Sequence, residues 1–230
     1  MAKLTIGIIG SGNIGGGLAR NLVKLGHEVS IANSRGPETL GEFAAEIGAK
    51  AVTVEEAAKA KDVVIVSIPQ RAVEQLPAGL FAGSSAVVID TGNYYPSRDG
   101  RISAIDGGMT DSEWVAELFG HSVVKVFNNI AAASLSGRGV AKGTPGRISL
   151  PIAGDSEDEK RIVLELIDEL GFDGLDVGPL SESWRQQPGT PAYAADLEAA
   201  PLRAAIDSAE KDKVTSYRDA ADEAARAWFS

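Results

Sequence analysis

Gly10-Ser11-Gly12-Asn13-Ile14-Gly15 has the spacing G-x-G-x-x-G, which in the right setting holds a pyrophosphate at a helix N-terminus. In a chain with 26 glycines the spacing alone says little, and the setting decides. The motif follows the apolar run Leu4 to Ile9 and opens a helical pattern of Leu18, Leu22 and Leu25. Gly10 suits a tight turn, Gly12 lets backbone approach a phosphate, and Gly15 lets the helix pack against the strand. Ser11, Asn13 and Ile14 complete the turn, where unpaired N–H groups and the helix dipole favour negative charge.

The end of the second strand selects the cofactor. An NAD site places a carboxylate there to accept from the ribose 2′-hydroxyl, but this chain reads Asn33-Ser34-Arg35-Gly36-Pro37. A carboxylate would repel a 2′-phosphate, whereas Ser34 can donate to one and Arg35 can grip it with its planar fork. The expected cofactor is NADP(H). Two later strand ends, Ser67-Ile68-Pro69 and Thr91-Gly92-Asn93, are either tight turns alone or small turns that leave room for the nicotinamide half at the carboxyl edge of the sheet.

These residues need a scaffold, and the apolar pattern supplies one. Strand-length runs recur at Leu4 to Ile9, Glu28 to Ala32, Ala51 to Val54, Val63 to Ile68, Ala86 to Asp90 and Val123 to Phe127. Helical segments separate them, which indicates βαβ units and a parallel sheet. The runs are continuous because such strands are covered on both faces. The expected fold is α/β, a Rossmann doubly wound parallel sheet with a small C-terminal helical extension. We divide it into an NADP-binding Rossmann domain, 1–150, and a C-terminal α/β lobe, 151–230, that completes an acceptor pocket and packs with it as one unit.

Local punctuation agrees. Pro37 stands at a first helical position, and Gly26 and Gly48 end helices. Ser156 and Glu159 form a capping-box pattern, and Gly171 closes the helix that follows. From Pro201 the spacing of Leu202, Ile206 and Ala209, then Val214, Tyr217 and Ala221, suggests one long or two shorter amphipathic helices. Gly92 to Gly108 and Ala131 to Gly146 read as long loops.

Composition excludes several classes. With no cysteine there is no disulfide, thiolate metal site or cysteine nucleophile, and no metal is expected. No segment approaches the ~20 apolar residues of a membrane helix, and no leader-like stretch opens the chain, so a soluble, cytoplasmic protein is expected. Residues 1–150 hold 14 Lys+Arg against 14 Asp+Glu, and residues 151–230 hold 8 against 18. That balance argues against nucleic acid and leaves any anionic ligand to local cations.

On the motif at 10–15, the Ser34-Arg35 pair and Val124-Lys125-Val126-Phe127-Asn128-Asn129-Ile130, the chain resembles the NADP oxidoreductases dependent on the deazaflavin coenzyme F-420. It is more distantly similar to the reductase domain of the STEAP metalloreductases. The resemblance implies hydride transfer between nicotinamide C4 and deazaflavin C5, and a polar turn near the nicotinamide at Asn128 and Asn129. Those two side chains either position the rings or simply end a strand. Asn128 stands at what looks like a histidine position of the archaeal enzymes. The segment from Glu182 to Tyr193 is similar to bacterial members of the wider family.

Hydride transfer between stacked rings depends on distance, orientation and exclusion of water, so no dedicated acid or base is required, and His27 and His121 read as structural. The expected acceptor pocket combines Trp184, Arg185 and Tyr193 with Arg138, Lys142 and Arg147 as cations for an anionic acceptor tail, each equally at home on a solvated loop. The partner is a small-molecule hydride acceptor, either coenzyme F-420 or FMN/FAD. Two alternatives stay open: an NADPH-dependent reductase of a small imine or carbonyl compound, and a non-catalytic NADP-binding redox sensor. A homodimer is the default assembly.

Overall fold

The computed structural model describes residues 2–229. The first strand, β1 (Thr5–Ile9), leads into α1 (Asn13–Lys24) and β2 (Glu28–Ala32). α2 (Gly41–Ile47), β3 (Lys50–Ala51), α3 (Val54–Ala57) and β4 (Val63–Val66) follow. Then come α4 (Gln70–Val73), β5 (Val87–Asp90), α5 (Pro96–Asp99), α6 (Ser103–Asp106), α7 (Asp111–Phe119) and β6 (Val124–Lys125). These six strands form one parallel sheet in the order β3-β2-β1-β4-β5-β6. The order reverses between β1 and β4, which opens a crevice at their carboxyl ends.

The continuous apolar runs have the cause expected of them. Side chains alternate across a strand, so Val63 and Ile65 of β4 enter one core with Ile6, Ile8, Leu18 and Leu22. Val64 and Val66 enter the other with Ile9, Val88, Val115 and Phe119. Both faces are covered, and no position can be polar without a buried partner.

The rest of the chain is α8 (Ala132–Gly137), β7 (Ser149–Ile152), α9 (Glu157–Glu169), β8 (Asp173–Asp176), α10 (Ala199–Ser208) and α11 (Val214–Ala225). β7 and β8 pair in parallel, and a single antiparallel bridge, Lys125 to Ala153, ties them to β6. The extension therefore contains strands as well as helices. Ile148, Leu150, Ile152, Val163, Leu166 and Phe172 share a core with β1 and α1.

Several local expectations shift. The run Ala51 to Val54 stops as a strand at Ala51, because Thr53 caps α3 in a full capping box with Glu56. Ser156 accepts from the Glu159 N–H, but the Glu159 carboxylate takes the Ser122 hydroxyl instead of closing the box. The long loops hold short helices, α5 and α6 in one and α8 in the other, and the C-terminal periodicity resolves into two helices separated by a 3-10 turn at Lys211–Lys213. Among the described residues no helix is long and apolar enough to cross a membrane, and no cluster of His, Asp and Glu suits a metal ion.

Candidate active site

The glycine turn has the shape its sequence implies. Gly10 has φ +114°, and a Cβ there would lie 2.1 Å from the Ser67 carbonyl oxygen; a Cβ on Gly15 would lie 2.0 Å from the Gly10 carbonyl oxygen. Both positions exclude a side chain because β1, β4 and α1 converge there. Gly12 differs, since its Cβ would meet no protein atom within 4 Å. Its absence keeps clear a space outside the chain, in front of the α1 N-terminus, as a pyrophosphate requires. The donor set and this cleared cradle fit a dinucleotide.

Gly10, Ser11 and Gly12 line a cavity of about 760 Å³ together with Asn33, Ser34, Arg35, Ser67, Ile68 and Pro69. Asn13, Ile14 and Gly15 lie behind them in α1. The Asn33 side chain accepts from the Arg35 backbone N–H at 2.9 Å and bonds Thr39, which folds the strand end into a turn. Ser34 and Arg35 are exposed on that turn, and no hydrogen bond or ion pair engages the guanidinium among the described residues. A free cation at the rim is what a 2′-phosphate needs.

The ends of β5 and β6 form a second cluster, held from below by charge. Asp90 and Lys125, on adjacent strands, are 2% and 0% exposed and pair at 3.1 Å. Asp90 also accepts from Ser112 and from the Gly92 N–H, and Lys125 donates to the Gly92 carbonyl. The turn Thr91-Gly92-Asn93 is thus pinned by a buried ion pair. Sequence reasoning passed over this pair, although a Lys and an Asp inside buried apolar runs were the signal, because neither is buried without a partner.

Above that base, Asn93 donates to the Asn128 carbonyl at 2.8 Å and to the Tyr193 hydroxyl at 3.3 Å. Tyr193 and Tyr95 join hydroxyl to hydroxyl at 2.7 Å. Burial pushes both phenols above their ordinary range. Tyr95 is buried while Tyr193 keeps part of its surface exposed. Phe127 has a positive φ of 61° at the end of β6, which turns the chain into this cluster. Tyr95 was not foreseen, since a tyrosine after a strand carries no motif.

Asn128 is turned inward. It donates to Asn93 Oδ1 and to the Gln186 carbonyl, and accepts from the Gln186 amide at 2.9 Å. Every polar atom of its side chain is engaged within the protein. Asn129 is 5% exposed, and its carbonyl accepts from the Ala194 N–H. Both tie the β6 turn to the segment 186–194 that carries Tyr193. Through these bonds they hold the site's frame.

The expected acceptor pocket does not assemble as drawn. Arg147 is 3% exposed; it donates to the Asp168 and Phe172 carbonyls and pairs with Asp168 and Asp173. It closes the β7–β8 layer and is inaccessible to a ligand. Arg138 pairs with Asp196, and Lys142 shares Asp168 with Arg147, so each of the three cations answers a local acid. Arg185 lies over the Trp184 ring at 4.3 Å and reaches Glu182 and the end of α10. Trp184 is 4% exposed and borders a different cavity, of about 590 Å³, with Thr110 and Arg218. Of the proposed acceptor residues, only Tyr193 joins the strand-end turns.

Residues 5–94 match the family described as NADP oxidoreductase, coenzyme F420-dependent. A solved hypothetical protein from Sinorhizobium meliloti is 36% identical, with a TM-score of 0.72 over 86% of this chain and 97% of that one. A putative F420-dependent NADP-reductase from Arthrobacter shares the fold at 23% identity and TM-score 0.66, over 78% and 87% of the two chains. Metalloreductase STEAP3 from Rattus norvegicus is 29% identical over 86% of this chain but only 36% of its own length. The chain spans about half or less of the curated relatives it matches. Glycine cradle, free strand-end arginine and family match agree: residues 5–94 are similar to the NADP oxidoreductases described as coenzyme F420-dependent.

Proposed function

We propose that the protein binds NADPH and passes a hydride to an organic two-electron acceptor, a deazaflavin or flavin, at the turns that follow β5 and β6. Arg35 carries the cofactor part of this reading, because an unpaired guanidinium stands where an NAD site would place a carboxylate. Arg35 and Ser34 would hold the 2′-phosphate, and the N–H groups around Gly12 the pyrophosphate. The cofactor supplies the hydride. The chain's task is to hold nicotinamide and acceptor in register and exclude water, and the braced turns at Gly92, Asn93 and Asn128 suit it.

Among the described residues the cations expected to hold an acidic acceptor tail are paired with acids, so the acceptor would be recognised chiefly by its ring. A second reading, reduction of a small imine or carbonyl compound, is favoured by the paired hydroxyls of Tyr95 and Tyr193, since such substrates need a proton with the hydride. The test is NADPH oxidation against deazaflavin, FMN, FAD, imines and ketones. Turnover of the deazaflavin or flavin supports the first reading, and turnover of an imine or ketone alone replaces it with the second. Tight NADPH binding with no turnover of any acceptor would overturn both in favour of a sensor.

A further inference from the structure

We propose that Tyr193 is the proton donor that accompanies hydride transfer, with Tyr95 behind it as the hydrogen-bond donor to the phenolate it leaves. This rests on reading the β5 and β6 turns as the hydride-transfer end of the site. A hydride delivered to carbon leaves an electron pair on the conjugated oxygen or nitrogen of the acceptor, and that pair must take a proton. NADPH is oxidised by two electrons and the acceptor reduced by two. The O–H bond of Tyr193 breaks as the new O–H or N–H bond forms, and solvent returns the proton to Tyr193 from its exposed side.

The hydrogen bonds suit a donor. Asn93 Nδ2 donates to the Tyr193 hydroxyl oxygen at 3.3 Å, and the Tyr95 hydroxyl lies 2.7 Å from it. When Tyr95 donates as well, Tyr193 accepts two bonds and its own proton is free to face the acceptor. The phenolate left behind would meet two donors already in place, without reorganisation. Tyr193 is partly exposed whereas Tyr95 is 6% exposed, which sets the order of the pair.

The surroundings are set by a few groups. The Arg98 guanidinium lies 5.3 Å over the Tyr95 ring, donates to the Asn93 carbonyl and pairs with Asp99. Asp111 is a buried carboxyl whose charge disfavours both phenolates, after burial itself, and it accepts from the Tyr94 N–H. Phe229 packs on Tyr95 at 5.2 Å and shields that ring from water. Arg98 favours a phenolate, and Asp111 and burial oppose one, so Tyr193 stays protonated until charge develops on the acceptor.

The experiment needs no identified acceptor. Phenolate absorbance is titrated on the NADP+ and NADPH complexes of the wild type, Tyr193→Phe and Tyr95→Phe, with cofactor occupancy checked by calorimetry. The positive ring of NADP+ beside Tyr193 should move one tyrosine titration down by about one unit relative to NADPH. Tyr193→Phe should abolish that shift, and Tyr95→Phe should retain it in weaker form. An unmoved titration with NADP+ bound overturns the proposal and leaves the hydride reading standing, whereas failure of both cofactors to bind overturns that reading itself.

With any acceptor that turns over, Tyr193→Phe should lower kcat about a hundredfold with NADPH Kd unchanged. The wild-type rate, full below the Tyr193 pKa and falling above it, should lose that alkaline limb along with its solvent-deuterium effect. If Tyr193→Phe does not fold, Tyr95→Phe decides: losing a donor to the phenolate should move the alkaline limb to higher pH. An unmoved limb refutes the pair.

Discussion

Replacing Arg35 by alanine isolates what the cofactor's 2′-phosphate contributes to binding. The side chain is exposed at the rim of the cleft, and no acid holds it among the described residues, so its removal should neither unfold the turn nor orphan a partner. The turn itself is kept by Asn33, whose side chain accepts from the residue-35 backbone N–H. A hydrogen bond to a charged group is worth roughly 1.5 to 3 kcal/mol, which is about ten- to a hundredfold in Kd. The upper end is expected, because Glu55 lines the same cavity and Glu38 sits against Gly36. Without Arg35, nothing offsets their repulsion of the phosphate. NADH, lacking that group, should bind Arg35→Ala as it binds the wild type. Ser34→Asp should go further and move preference toward NADH, by adding repulsion and offering the ribose hydroxyl an acceptor. Calorimetry with both cofactors and all three proteins is the assay, repeated at high salt, where an exposed contact of this kind weakens. Equal losses for NADPH and NADH in Arg35→Ala would refute the assignment and make Arg35 a pyrophosphate or folding residue.

Gly12→Ala should leave Tm unchanged, because its Cβ meets no protein atom, yet weaken both cofactors at least about tenfold by filling the pyrophosphate cradle. Gly15→Ala, whose Cβ would collide with the Gly10 carbonyl, should instead lower Tm without any cofactor present. Lys125→Met should cost about 3 to 5 kcal/mol in denaturant unfolding by stranding Asp90; adding Asp90→Leu should recover most of it, and additive losses would show that the pair is not coupled. Two bonds from Thr5, its N–H and its hydroxyl, hold the Asp62 carboxyl below the usual value of 3.8. Its contribution is complete above that value and is lost as pH falls through the lower folded one. Asp62→Asn should therefore flatten the acid limb of stability below about pH 4 and leave its alkaline side unchanged.

The parts legible in the chain are those that local physics dictates. Continuous runs such as Val63 to Val66 specify strands covered on both faces. Gly10 and Gly15 announce a turn that only glycine can make, Gly12 keeps a cradle clear beside it, and an arginine in place of a strand-end carboxylate points to the cofactor without reference to anything distant. Distances along the chain limited the rest. Asn128 and Gln186 are 58 residues apart and Tyr95 and Tyr193 98, and no periodicity announces such a meeting. Arg147 shows the same limit from the other side, since its loop position suggested an acceptor-pocket cation or a solvated one, whereas the β7–β8 layer folds over it and supplies Asp168, Asp173 and two carbonyls. Sequence alone thus determined a parallel α/β sheet and a glycine turn shaped for a dinucleotide, because the residues that make each are neighbours within one βαβ unit. Tertiary structure decided which polar side chains gather at the turns after β5 and β6 and which are consumed as struts, because a buried donor or charge turns to whatever partner the fold brings within reach.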